Sequence, residues 1–283
     1  MSGARSDGLA LIAGTGALPG LLAGALAARA EPFVLAEMEG FPAAVPGAEP
    51  LRFRVERLAP FLDDLLARGV RRVVLAGAIR RPRLDPAAID PATAALLPRL
   101  TAAMQAGDDA TLRAVIGLFE ERGLAVVGAE AVLPELVPGA GLLAGAPTGA
   151  DRKDAARAAA IVAALGSVDV GQGAVVAQGL CLAVEALPGT DAMLDWVAAT
   201  GAGLRPDPAG AKGVLYKAPK PGQDRRVDLP ALGPGTVARA ARAGLAGIAW
   251  EAGGVICLDR AGMVAAAEAA GLFLWARDPG DAR

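Results

Sequence analysis

Short apolar runs that end in glycine turns and alternate with helical stretches constrain this chain more than any other feature. Leu9 to Ala13 (LALIA) leads straight into Gly14-Thr15-Gly16-Ala17-Leu18-Pro19-Gly20, and the following LLAGALAARA has a helical composition. A buried strand, a glycine turn and a helix make the first unit of a doubly wound α/β sheet. Pro32 to Ala36 (PFVLA), Arg72 to Ala76 (RVVLA) and Leu124 to Val127 (LAVV) repeat the strand signal. Apolar spacing predicts helices over Leu58 to Arg68, Leu97 to Ala106 and Leu112 to Arg122. The RVVLA strand ends at Gly77, so the Gly14 and Gly77 turns are expected on one carboxyl edge of a parallel sheet, where such folds bind ligands.

The GTGALPG turn invites comparison with a dinucleotide fingerprint but carries Pro19 where G-x-G-x-x-G has its third glycine. Glu37 and Glu39 lie close to the tip of the second strand, where such a fold places its ribose-binding acid. An NAD(P)-dependent oxidoreductase therefore stays open, as does a turn in which Gly14 and Gly16 serve shape alone. Asp108 or Asp109 is expected to cap the helix that follows, with a metal role for Asp109 as the other option.

At 283 residues the chain exceeds the size, about 250 residues, at which single cores tend to divide. Residues 133–150 are rich in Pro, Gly, Ala and Leu with one charge, Glu135, and read as a linker. Two domains follow, 1–132 and 151–283. The second opens with an alanine-rich helix, Asp151 to Gly166, whose Asp151 and Asp154 suit the positive end of the helix dipole. Strands are expected around Val175–Val176 and Cys181–Glu185, at Gly213 to Lys217, Ile248–Ala249 and Val255 to Leu258, with helices at Ala192 to Ala199, Val237 to Ala243 and Arg260 to Ala270.

The chain has no histidine, which removes His-Asp triads and imidazole-bound metals and leaves oxygen-ligated Mg²⁺ or Mn²⁺ as the metals it could use. A net charge of -2 offers no basic field for a nucleic acid. Cys181 and Cys257 sit in apolar runs without CxxC spacing and read as buried, inert thiols. Gly8 to Ala28 is uncharged, but Asp7 before it and the interrupting glycines and Pro19 favour strand, turn and helix over an export signal or a membrane span. A cytoplasmic protein is expected.

Polar chemistry collects between Gly171 and Pro230. KAPKPGQDRRVDLP (Lys217 to Pro230) sets Lys217, Lys220, Arg225 and Arg226 beside Asp224 and Asp228. Carboxylates that hold Mg²⁺ and cations that neutralise phosphate oxygens suit a rigid loop of this kind, and a structural ion-pair loop is the alternative. Glu185 at a strand end and Thr190 and Asp191 at a helix start could face the same centre, with amides available to an anion.

These residues also carry a resemblance. LIAGTGALP (Leu11 to Pro19), AGAIRRP (Ala76 to Pro82), GDDATLR (Gly107 to Arg113), DVGQGAVVAQGLCLAVEALPGTDAML (Asp169 to Leu194), KAPKPGQDRRVDLP and ARAGLAGIAWEAG (Ala241 to Gly253) together resemble the LpxI family, the UDP-2,3-diacylglucosamine pyrophosphatases of lipid A biosynthesis. Thr15 departs from the family's usual glycine, and the DRKD run (Asp151 to Asp154) falls in a variable region. The resemblance implies Mg²⁺-dependent hydrolysis of UDP-2,3-diacylglucosamine to UMP and 2,3-diacylglucosamine 1-phosphate (lipid X). It further implies a Rossmann-like N-terminal domain, a C-terminal α/β domain of unusual topology and a substrate held between them. By the same resemblance Asp228 matches the family's essential aspartate, binding Mg²⁺ or positioning the attacking water, with Asp224 and Glu185 as lesser metal candidates. Lys217 and Lys220 would neutralise the pyrophosphate, while Gly171, Gln172, Thr190 and Asp191, together with Gly14, Thr15, Gly16 and Gly77, would face the substrate. Expected partners are that substrate, transient peripheral contact with the inner membrane inferred from its acyl chains, and a homodimer as an open option, with no nucleic acid. A non-catalytic nucleotide-sugar or lipid binder is the remaining alternative.

Overall fold

The computed structural model describes residues 7–79 and 82–281. Arg80 and Arg81 of the AGAIRRP element lie outside that set. The chain divides into two compact units, with the boundary between Leu133 and Pro134.

The first unit is a parallel α/β sheet. Its elements are β1 (Gly8–Ala13), α1 (Leu18–Ala28), β2 (Phe33–Met38), β3 (Leu51–Phe53), α2 (Leu58–Ala67), β4 (Val70–Ala76), α3 (Pro91–Ala94), α4 (Leu97–Ala106), α5 (Asp108–Glu121) and β5 (Ala125–Val127). The sheet runs β3-β2-β1-β4-β5, with every pairing parallel. β1 is central, which explains why LALIA has no polar residue: Leu9 to Ala13 are all buried. One strand is new and one expectation changes. β3 is only three residues long and lacks a periodic signal. α5 begins at Asp108 with Gly107 as its cap, so the aspartates belong to the first turn, and Asp109 pairs with Arg113.

The second unit holds a six-stranded mixed sheet. Its elements are β6 (Gly141–Ala144), α6 (Gly149–Ser167), β7 (Gly173–Ala177), β8 (Leu180–Val184), α7 (Gly189–Thr200), β9 (Val214–Lys217), β10 (Ala231–Leu232), α8 (Pro234–Arg242), β11 (Gly247–Glu251), β12 (Ile256–Cys257), α9 (Arg260–Ala270) and β13 (Phe273–Arg277). The order is β6-β13-β11-β9-β7-β8, with β9, β11 and β13 parallel and β6, β7 and β8 antiparallel to their neighbours. A two-stranded ladder, β10 with β12, stands beside it. Met193, Val197, Val237, Ala240, Met263 and Ala267 from α7, α8 and α9 bury one face of the sheet, and Ala155, Ala158 and Val162 from α6 bury the other.

Three further expectations are corrected here. β6 lies inside the stretch 133–150 expected as a linker, where it pairs with β13. Cys181 is exposed on the edge strand β8, because its apolar neighbours lie on a strand with no partner on one side; Cys257 is buried, and burial pushes its thiol up to about 12. The α6 aspartates do more than favour a dipole. Asp151 closes a capping box with Thr148, and the buried Asp154 accepts the backbone N–H groups of Gln178 at 2.9 Å and Gly179 at 2.7 Å, fixing the β7–β8 turn. No helix among the described residues is long and apolar enough to cross a membrane.

Replacing Asp154 with alanine leaves two part-buried N–H groups without their carboxylate acceptor and is expected to cost about 1–3 kcal/mol of stability. Urea denaturation measures it, and a loss below about 0.5 kcal/mol would show that water replaces the carboxylate.

Candidate active site

Lys217 ends β9, between Gly173 of β7 and Trp250 of β11. Strand alternation turns it to the same face as Leu215, toward α7. There its ammonium donates to Thr190 Oγ1 at 2.6 Å and lies 3.3 Å from Glu185 Oε2, with only 4% of Lys217 exposed. A buried cation of this kind survives only when paired. Glu185 Oε2 is itself buried without a hydrogen bond, so the ion pair is its compensation. Gly171 allows this packing: a Cβ there would lie 1.9 Å from the Glu185 carbonyl oxygen.

After Lys217 the chain turns through the polar loop, and Gln223 is its hub. Gln223 Oε1 accepts from Gln172 Nε2 at 2.8 Å and from the Lys220 backbone N–H at 2.7 Å, while its Nε2 donates to Asp228 Oδ2 at 2.5 Å. The neutral amide therefore ties the strand-bound Gln172 to the carboxylate of Asp228. Asp224 accepts from Arg226 through both oxygens, at 2.9 and 2.6 Å, and the Val227 and Asp228 N–H groups both reach its carbonyl oxygen at 3.1 Å. The Arg226 hydrogen bond holds the Asp224 carboxyl below the usual aspartate range. Lys220 pairs with Asp169. Arg225 Nη2 lies 2.5 Å from Glu251 Oε1.

Behind Glu251 the sheet edge continues. Glu251 is paired in register with the buried Arg277, which hydrogen-bonds the Tyr216 side chain; burial foremost pushes the Tyr216 hydroxyl up. Asp169, Glu251 and Arg277 are site-building residues that sequence reasoning did not single out. Glu251 and Arg277 stand at the carboxyl ends of β11 and β13, and Asp169, just after α6, meets the loop through Lys220.

The structure thus brings Lys217, Glu185 and Thr190 into one cluster, and Gln172, Lys220 and Asp228 into a second through Gln223. Asp191 instead pairs with Arg239 of α8 at 3.2 Å. Gly14, Thr15, Gly16 and Gly77 belong to the first unit. There Thr15 and Ala78 exchange backbone hydrogen bonds at 2.9 Å, and a Cβ on Gly77 would lie 2.6 Å from the Thr15 carbonyl oxygen. The close approach of the β1 and β4 turns accounts for Gly14 and Gly77. Glu37 accepts from Arg52 Nε at 2.9 Å and from the Ala43 N–H at 3.1 Å, which takes it away from a ribose.

Among the described residues no group of three or more Asp, Glu, Cys or His side chains is placed to hold a metal. Asp228, Asp224 and Glu185 do not form such a set, because Arg226 and Lys217 engage the last two. A caged resident ion does not fit. Mg²⁺ bound by one or two carboxylates and completed by substrate phosphates asks less of the protein, and the oxygen donors of Asp228 fit that mode.

Fold and site define a two-unit α/β protein whose second unit carries a paired-charge loop at the carboxyl edge of parallel strands, an arrangement suited to anionic ligands. Residues 8–136 match the LpxI N-terminal domain and residues 139–275 the LpxI C-terminal domain. The chain is also 41% identical over 276 residues to the UDP-2,3-diacylglucosamine pyrophosphatase LpxI of Caulobacter vibrioides, covering 96% of this chain and 98% of that protein. The chain belongs to the LpxI family.

Because the Asp224 carboxyl titrates below its ordinary value of 3.8, its stabilisation is fully present above that value and is lost as pH falls through the lower folded one. The stability difference between the native protein and Asp224→Asn should therefore be largest near neutral pH and shrink below pH ~3.8. Urea unfolding of both proteins across this range measures it, and a pH-independent difference would refute the pairing.

Proposed function

We propose that this chain hydrolyses the pyrophosphate bond of UDP-2,3-diacylglucosamine, releasing UMP and 2,3-diacylglucosamine 1-phosphate in lipid A biosynthesis. The observation that carries this reading is identity of 41% over nearly the whole length of a relative named for that activity. In the reaction water adds to one phosphorus, the bridging P–O bond breaks, and the two phosphates leave with the protons of that water.

Asp228 is the proposed catalytic carboxylate. Gln223 orients it by donating to Oδ2, and the carboxylate so held is assigned to act on the attacking water or to hold Mg²⁺. Mg²⁺, when bound there, would neutralise charge on the pyrophosphate oxygens. Lys220, whose ammonium pairs with Asp169 at a partly exposed position, can exchange that partner for a phosphate oxygen. Lys217 contributes positive potential from within, while its buried contacts hold Thr190 and Glu185 in place. Gln172 and Gly171 border the same edge and are assigned to substrate binding, as are Thr190 and Asp191 at the start of α7, and the Gly14, Thr15, Gly16 and Gly77 turns from the first unit. The reading includes a cytoplasmic protein that meets the inner membrane transiently through its acylated substrate, with a homodimer as an assembly to be tested.

The test incubates the protein with UDP-2,3-diacylglucosamine and Mg²⁺, with and without EDTA, and follows UMP. UMP release that EDTA stops is expected; no UMP would overturn the activity, and release unaffected by EDTA would overturn the metal. Asp228→Ala should lower turnover at least about 100-fold with an unchanged thermal unfolding midpoint. Retained turnover would remove Asp228 from the mechanism.

A further inference from the structure

The two most exposed large apolar side chains among the described residues, Leu187 and Val168, stand on connectors of the second unit. Both connectors lie at the edge that carries the charged loop. β8 runs parallel to β9, because each is antiparallel to β7, so the β8–α7 connector leaves the sheet beside Lys217. The α6–β7 connector arrives at the same edge, since β7 opens at Gly173 opposite Lys217. Leu187 is fully exposed on the first connector, while Val168 and Val170 are 68% and 43% exposed on the second. Gly171 packs against the Glu185 carbonyl with no room for a Cβ, which sets the two connectors side by side.

These side chains are held outward. The Gly189 N–H donates to the Ala186 carbonyl at 2.8 Å, closing a turn with Leu187 and Pro188 at its tip. The Val170 N–H donates to the Leu165 carbonyl at 3.1 Å, and Asp169, between the two valines, is drawn to Lys220. Charges beside this rim are paired within the protein: Asp169 with Lys220, Glu185 with Lys217, and Asp191 with Arg239. The rim itself is therefore apolar, with no net attraction for either sign of charge.

Single apolar side chains on a surface are ordinary, but a group of them fixed on adjoining segments marks a surface that meets something apolar. A diacylated substrate resides in a bilayer, so the edge that receives it has to approach acyl chains. We infer that Leu187, Val168 and Val170 insert into the surface of a lipid bilayer and hold the charged loop at headgroup level. The inference rests on the proposed pyrophosphatase reading for the choice of a bilayer, and deepens it by assigning the membrane contact to particular side chains. Apolar burial drives the insertion rather than attraction to anionic lipid, and three side chains bury less than an acyl anchor, so the contact is weak and reversible.

The test floats the full-length protein, Leu187→Asp and Leu187→Ile with vesicles of phosphatidylcholine, alone or mixed with phosphatidylglycerol, at low and high salt. Turnover of UDP-2,3-diacylglucosamine is followed in parallel, both in vesicles and dispersed in detergent. The native protein and Leu187→Ile should bind both vesicles alike at either salt, and Leu187→Asp should lower partitioning at least about tenfold. The same variant should slow turnover in vesicles by a similar factor and leave turnover in detergent unchanged. Equal binding by the native protein and Leu187→Asp, no binding by the native protein, or binding that needs phosphatidylglycerol and disappears in salt would each overturn the rim; turnover in detergent would then leave the activity standing. Vesicle binding that Leu187→Asp loses, in a protein inactive in both presentations, would support the rim and sink the pyrophosphatase reading. A dimer in sedimentation velocity that Leu187→Asp dissociates, without vesicle binding, would give the rim to a second copy and overturn the inference.

Discussion

An ammonium group buried at the end of a strand organises the second unit. Lys217 lies where β9 leaves the sheet, and its contacts with Thr190 and Glu185 join the start of α7 and the exit of β8 to that strand. Charges are kept in such surroundings only with partners, since desolvation of an unpaired one costs several kcal/mol. The pairing explains local features that otherwise look unrelated. Gly171 must lack a side chain for Glu185 to reach the cluster, and α7 begins directly after Pro188 so that Thr190 can meet Lys217.

The loop that follows is built differently. Its connections to the strands run through a neutral amide, Gln223, which joins Gln172 to Asp228 without adding charge. The partners of Arg225 and Lys220 come from distant segments, Glu251 and Asp169. A loop dense in charge is thereby held by the sheet on one side and balanced by acids on the other, so its cations do not repel one another into disorder.

Much of the first unit was legible in the sequence because its strands are buried and its turns need glycine. LALIA and RVVLA became β1 and β4, adjacent and parallel. Elements whose identity comes from pairing were not legible. LRF in β3 is too short for a period, and GLLA in β6 is surrounded by glycine and proline that read as linker; each is a strand because a neighbour completes it. FLWAR in β13 carried an apolar signal and was missed because it closely follows a helix. Cys181 shows the converse, since apolar neighbours in sequence say nothing about being at a sheet edge. At the site, composition located the loop, but Glu251 and Arg277 are distant in sequence and meet it only through the parallel order of β9, β11 and β13.

The contrast between buried and exposed pairs bears on how the proposed chemistry could work. Exposed ion pairs contribute about 0–1 kcal/mol, but Arg225, over half exposed itself, has a largely buried partner in Glu251, which a phosphate would leave uncompensated. Lys220 is less exposed, but its partner Asp169 is open to solvent, so the same exchange is inexpensive there. Lys217 cannot make it without leaving Glu185 buried and uncompensated. Its charge can still act on a nearby anion through the low-dielectric interior, where screening is weak. The site therefore separates two tasks that the sequence presents as one run of lysines and arginines: Lys217 is a fixed interior charge that holds the architecture, and Lys220 is a cation whose solvent-open partner makes exchange of a carboxylate for a phosphate inexpensive.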